Sequence, residues 1–115
     1  MRVGVIGSRG LVVDNLVDYL PPETTMLVSG GAKGIDSCAK EYALANNIPI
    51  TEFLPGYKKY GKAAPLKRNI EIILHSDFML IIWDGKSRGT KHVIDNCKKY
   101  NVLSKVILLP LPSEK

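Results

Sequence analysis

Phe78-Met79-Leu80-Ile81-Ile82, followed by Trp83-Asp84-Gly85-Lys86-Ser87-Arg88-Gly89-Thr90-Lys91, is the stretch on which the reading of the fold turns. The apolar run reads as a strand buried on both faces, and Thr90 to Tyr100 reads as an amphipathic helix. Between them lies a polar, glycine-containing turn. A turn of that kind between a buried strand and a helix start offers free backbone N–H groups to an anion. The same pattern occurs twice more. Val3 to Ile6 runs into Gly7-Ser8-Arg9-Gly10 before a helical pattern from Leu11, and Met26 to Val28 runs into Ser29-Gly30-Gly31-Ala32-Lys33-Gly34 before one from Ile35. Three small, basic turns of this type imply a ligand that carries phosphate.

Working outward, the chain alternates extended and helical patterns. Strands are expected at Arg2 to Ile6, Thr25 to Val28, Pro49 to Leu54, Phe78 to Ile82 and Lys105 to Leu109, each short and rich in Val, Ile or Leu. Helices are expected at Leu11 to Leu20, Gly34 to Asn46, Pro65 to His75 and Thr90 to Tyr100, with Pro21-Pro22 stopping the first. Right-handed crossovers then give an α/β fold: a Rossmann-like, doubly wound parallel sheet of five strands, in the order 3-2-1-4-5. The crevice between strands one and four would receive Gly7-Ser8-Arg9-Gly10 on one side and Asp84 to Thr90 on the other.

The chain has 115 residues, 45% hydrophobic and 23% charged, which fits one core and one domain over residues 1–115. A formal net charge of +5 and a pI near 9.3 suit an anionic partner, but no run of five basic residues marks a nucleic-acid tail. Cys38 and Cys97 match no metal spacing and fall in apolar helical patterns, so they read as buried free thiols in a reducing, cytoplasmic setting. The opening Met1-Arg2-Val3-Gly4-Val5-Ile6 is strand-like rather than a signal peptide, and no apolar run approaches the roughly 18 residues of a membrane span. His75 and His92 lie apart on different helical patterns and receive no catalytic or metal role.

Pro55 to Pro65 reads as an irregular loop, whose Tyr57, Tyr60 and lysines either cover a ligand or form a solvated surface with the tyrosines packed down. The turns themselves supply the candidate ligand-binding residues Gly7, Ser8, Arg9, Gly30, Gly31, Ala32, Lys33, Trp83, Asp84, Gly85, Ser87, Gly89 and Thr90. Each has a plainer role beside the functional one. Thr90 serves as an N-cap, the glycines serve turn conformation and close packing, and Trp83 is either a face for a purine or edge packing. Asp36 either accepts a ribose or base hydrogen bond or stabilises the start of its own helix.

Gly7-Ser8-Arg9, Gly30-Gly31-Ala32-Lys33-Gly34-Ile35-Asp36, Tyr60-Gly61-Lys62-Ala63-Ala64-Pro65-Leu66-Lys67-Arg68-Asn69 and Trp83 to Lys91, in that order, resemble the small stand-alone YspA-like branch of the SLOG superfamily. The resemblance covers nearly the whole chain. The superfamily also holds the DprA DNA-processing proteins and the Lonely Guy phosphoribohydrolases, and it implies a pocket for a nucleotide or an ADP-ribose-like molecule. It adds Arg68 and Asn69 to the candidate set, with no metal and no cofactor, and makes a homo-oligomer an expectation.

Lonely Guy enzymes pair an arginine with a glutamate to cleave an N-glycosidic bond. Arg68 stands at the arginine position, but Val93 stands at the glutamate position, three residues after Thr90, and valine performs no acid–base chemistry. Asp84, Asp36 and Glu71 are the available substitutes. Three readings follow: binding or sensing of a nucleotide-derived ligand first, a nucleoside-phosphate N-glycosidase second, and a DprA-like single-strand binder third. The last needs a basic track longer than one pocket, of which Lys58, Lys59, Lys62, Lys67 and Arg68 would be the start.

Overall fold

In a computed structural model, which describes residues 1–110, the chain forms one five-stranded, all-parallel sheet in the order β3-β2-β1-β4-β5. The strands are β1 (Arg2–Gly7), β2 (Met26–Ser29), β3 (Ile50–Glu52), β4 (Phe78–Trp83) and β5 (Leu103–Leu108). The helices are α1 (Ile35–Ala45), α2 (Tyr57–Tyr60), α3 (Ala64–Leu74) and α4 (Arg88–Lys99). The Rossmann-like architecture and the strand order are as the sequence predicts. The last residues of the expected domain, 111–115, lie outside the described part. No helix among the described residues is long and apolar enough to cross a membrane.

The central strands show why the apolar runs are continuous. Successive strand residues point to opposite faces, and here both faces are covered. Val3 and Val5 with Leu27, Leu80 and Ile82 pack on Ile35, Ala39 and Ala43 of α1. Ile6, Val28, Met79 and Ile81 pack instead on Ile72 and Ile73 of α3 and Val93 and Cys97 of α4. Both cysteines are buried free thiols. Burial pushes the Cys97 thiol up to about 11.

Three expectations are corrected. Leu11 to Leu20 is not an α-helix: its only helical element is a single 3-10 turn at Leu16–Asp18. Val12, Val13 and Val17 are β-branched, and Asp14 and Asn15 compete locally for backbone hydrogen bonds. The buried pair Leu11 and Leu16 is five residues apart, off the helical period, yet both fill the face of the sheet that the missing helix would have covered. Next, Pro55 to Pro65 is not a structureless loop. It forms α2 and a 3-10 turn, Gly61–Ala63, that leads straight into α3. Finally, β5 is not covered on both faces: it begins at Leu103 and is exposed at every position but Ile107, because nothing among the described residues lies beyond this edge.

Gly34 fixes the turn after β1 against the start of α1. It sits at φ +76°, and a Cβ there would lie 2.5 Å from the Arg9 carbonyl oxygen and 2.8 Å from that of Leu11. Gly61 has nearly the same backbone, φ 57° and ψ −131° against 76° and −124°, but a Cβ there meets nothing. The two glycines therefore separate backbone strain from packing. Gly61→Ala is expected to cost about 1–3 kcal/mol of strain, and Gly34→Ala that amount plus about 1–3 kcal/mol of overpacking. Urea denaturation of both variants checks it; equal losses would mean that the β1 turn does not rest on Gly34.

Candidate functional site

A cleft of about 410 Å3 opens at the carboxyl ends of β1 and β4, where the strand order reverses. It is lined by Ile6, Gly7, Ser8, Arg9, Gly10, Ala32, Asp36, Pro65, Leu66, Arg68, Asn69, Asp84, Ser87, Gly89 and Thr90. Three strand ends and the start of α3 thus converge on one space.

The β1 and β4 turns are tied together before any ligand is considered. The Ser8 N–H donates to the Ile82 carbonyl at 3.0 Å, and the buried Ser8 Oγ accepts the Asp84 N–H at 3.1 Å. Asp84 Oδ1 in turn accepts from the Lys86 and Ser87 N–H groups, each at 2.8 Å, and these bonds hold its carboxyl below the ordinary carboxylate range. Ser87 caps α4 by accepting the Thr90 N–H at 3.3 Å. The first two N–H groups of α4, on Arg88 and Gly89, have no intrahelical partner by construction. Gly89 faces the cleft, and a Cβ on it would meet no protein atom within 4 Å.

Arg68 enters from α3 and is buried, 8% exposed. Its Nη1 donates to the Gly30 carbonyl at 2.8 Å and its Nε to Asn69 Oδ1 at 2.9 Å. Gly30 has no side chain because the guanidinium lies where one would be: a Cβ there would fall 2.6 Å from Arg68 Nη1. Burial lowers the pKa of Arg68 and the nearby Asp36 charge raises it. An arginine starts so high that it stays protonated at neutral pH.

Asp36 is the second buried charge, 4% exposed in the first turn of α1. Its Oδ2 accepts the Ala32 N–H at 3.2 Å, whereas Oδ1 has no partner. It forms no ion pair with Arg68. Burial pushes its pKa up from 3.8, against the opposing pull of the Ala32 N–H and the Arg68 charge.

Several expected contacts are not in the cleft. Gly30 acts through its carbonyl on Arg68, and Gly31 is exposed at φ +69° beside Leu54 and Glu52. Lys33 is exposed, and Gly85 shapes the β4 turn at φ +84° against Leu108. Trp83 turns its Nε1–H onto the Ser87 carbonyl at 3.0 Å, so it braces the turn rather than presenting a face to the cleft. Tyr57 and Tyr60 are exposed, neither packed down nor lining the cleft, and Lys58, Lys59, Lys62 and Lys67 lie outside it. The turn after β1 leads into no α-helix, only the later 3-10 turn at Leu16–Asp18, so no α-helix dipole points at the cleft from this side. Val93 is wholly buried in the core between sheet and helices and does not reach the cleft. Glu71 is exposed and does not line it either. Ile6, Gly10, Pro65 and Leu66 line it without having been singled out as ligand contacts. Gly10 ends the Gly7-Ser8-Arg9-Gly10 motif, and the spacing of Pro65 and Leu66 to Arg68 on one helix was the available signal.

Comparison of the chain with protein-family models, with curated proteins and with solved structures finds no match in any of the three.

The unpartnered carboxylate makes a pH prediction. A carboxyl whose folded pKa is raised binds more protons folded than unfolded. It therefore gives its full stabilising contribution below 3.8 and loses it as pH rises through the raised value. Asp36→Asn removes that titration while keeping an oxygen for the Ala32 N–H. The stability difference between variant and wild type should shift in favour of the variant as pH rises from about 4. Thermal melts of both proteins across pH 4 to 8 measure it, and a difference that stays flat would mean that Asp36 is not strained by its charge.

Proposed function

We propose that this chain binds a nucleotide or a nucleotide-derived molecule, in the manner expected of a small SLOG-like domain, and uses the binding itself rather than a reaction. One observation carries the reading: at the point where the strand order reverses, a single cleft gathers the β1 turn, the capped N-terminus of α4 and the buried guanidinium of Arg68. Backbone N–H groups at a helix start are matched to phosphate oxygens, and Arg68 adds a permanent positive charge held in place from two sides. The anion would sit between Gly10 and Gly89, both of which line the cleft without a side chain. The formal charge of +5 favours the same class of ligand.

AMP, ADP-ribose and cyclic nucleotides at millimolar concentration should raise the melting temperature. A ligand at 100 times its Kd adds about 2.7 kcal/mol of apparent stability. An unchanged melting temperature across that panel would overturn the reading. Gly89→Val is the positional control. Its added side chain meets no protein atom and stands on a residue that lines the cleft, so the fold should hold while affinity falls roughly tenfold or more. Lys99→Ala, at the far end of α4, should bind as wild type does. Equal affinities for the two variants by calorimetry would displace the site.

A second reading, cleavage of a nucleoside phosphate at its N-glycosidic bond, is favoured by one fact: the cleft holds a buried carboxyl, Asp36, beside Arg68. The position that corresponds to the Lonely Guy glutamate offers nothing, since Val93 belongs to the core. Positioned acid–base catalysis contributes roughly 10²- to 10⁴-fold, and without it base release from AMP or an N6-substituted AMP should stay at background. Chromatography for the free base decides between the readings. Multiple turnovers that disappear in Asp36→Asn and in Arg68→Ala would make the chain an enzyme.

A further inference from the structure

Among the residues that line the cleft, one buried side-chain atom has no hydrogen-bond partner within the protein. Asp36 is 4% exposed, its Oδ2 is taken by the Ala32 N–H, and its Oδ1 has neither a donor nor solvent. A buried acceptor of this kind is costly unless something supplies a hydrogen bond. Within the chain, the Arg68 guanidinium directs its Nη1 to the Gly30 carbonyl and its Nε to Asn69 and forms no ion pair with Asp36, and the Gly30 N–H, which helps to lower the Asp36 pKa, makes no hydrogen bond to Oδ1. The position of Asp36 in the cleft indicates which group of a ligand would reach it. Gly34, two residues earlier, packs directly on the Arg9 carbonyl, so Asp36 stands beside the β1 turn and not a whole nucleoside away from it. A group that reaches Asp36 from a phosphate held by that turn is the one bonded directly to the phosphate.

Resting on the nucleotide reading above, we propose that Asp36 is a specificity-determining residue whose free Oδ1 accepts hydrogen bonds from the hydroxyls of the ligand's ribose, so that the cleft selects ribonucleotides over their deoxy counterparts. A neutral donor suits the place better than a cation. Arg68 already sets a positive charge nearby, and the described residues contain no group of three His, Cys, Asp or Glu able to hold a metal. A site built to hydrogen-bond a hydroxyl rejects the analogue that lacks it because its own buried group is then left unpaired.

The test uses AMP and its 2'-deoxy, 3'-deoxy and 2',3'-dideoxy forms, which share base and phosphate, with affinities measured by calorimetry on wild type and Asp36→Asn. Wild type should bind AMP roughly tenfold or more tightly than the dideoxy form, and Asp36→Asn should bring that ratio close to one. If all four bind wild type equally, the sugar is not read by Asp36 while the nucleotide reading stands. A wild-type preference that survives unchanged in Asp36→Asn assigns the discrimination to another residue and overturns the proposal. No binding by any of the four overturns both. Should the variant fail to fold, the four wild-type affinities still decide, since equal values refute the proposal without it.

Discussion

Everything at the functional end of this molecule depends on the pairing of β1 with β4. Five residues of β1 run in register with five of β4, from Val3 opposite Phe78 to Gly7 opposite Ile82. These two strands are the buried middle of the sheet, so apolar side chains on both faces hold the register. A slip by one residue would turn Val5 and Leu80 toward the wrong layer. With the register set, the chain leaves both strands at the same height, and Ser8 closes the gap by donating to Ile82 and accepting from Asp84. The crevice is what remains between two turns that start level and lead to opposite layers.

The second dependency is electrostatic. Arg68 and Asp36 arrive from α3 and α1, which lie on opposite faces of the sheet, and meet in the same cleft. Each charge loses hydration on burial, and each eases the other's loss, as the opposing influences on their pKa values record. They stop short of an ion pair. A closed pair would be a self-sufficient structural element; an open one leaves a cation and a carboxylate oxygen addressed to whatever enters. Exposed pairs such as Arg2 with Asp77 and Lys91 with Asp95 contribute little by comparison.

The layer architecture and strand order were legible because a parallel sheet buried on both faces demands continuous apolar runs, and Val3 to Ile6 and Phe78 to Ile82 are such runs. The cleft residues Ser8, Arg9, Asp84, Ser87 and Thr90 follow from the same logic, since they lie in or just beyond the turns that leave β1 and β4 at the reversal point, and Ala32 joins them from the turn after the neighbouring β2. Leu11 to Leu20 misled because its apolar residues can be placed on a helix, while the pressure of Val12, Val13 and Val17 against that conformation is a matter of side-chain rotamer entropy that periodicity does not register. Trp83 reads from the sequence either as a face for a purine or as edge packing; that its indole N–H finds the Ser87 carbonyl is a three-dimensional fact. The guanidinium over Gly30 was illegible for the same reason, because the two residues are thirty-eight positions apart.

Cys97 gives the molecule an internal gauge. Its thiol sits on the inner side of α4 with its pKa pushed to about 11, so at neutral pH almost no thiolate forms while that core is closed. Alkylating and oxidising reagents act on the thiolate. Their rate at this sulfur is therefore set by how often the layer of α3 and α4 parts from the sheet, and a molecule occupying the cleft, which both of those helices line, would slow the labelling without touching the sulfur. Occupancy of the cleft becomes readable as a chemical rate measured near the other end of α4.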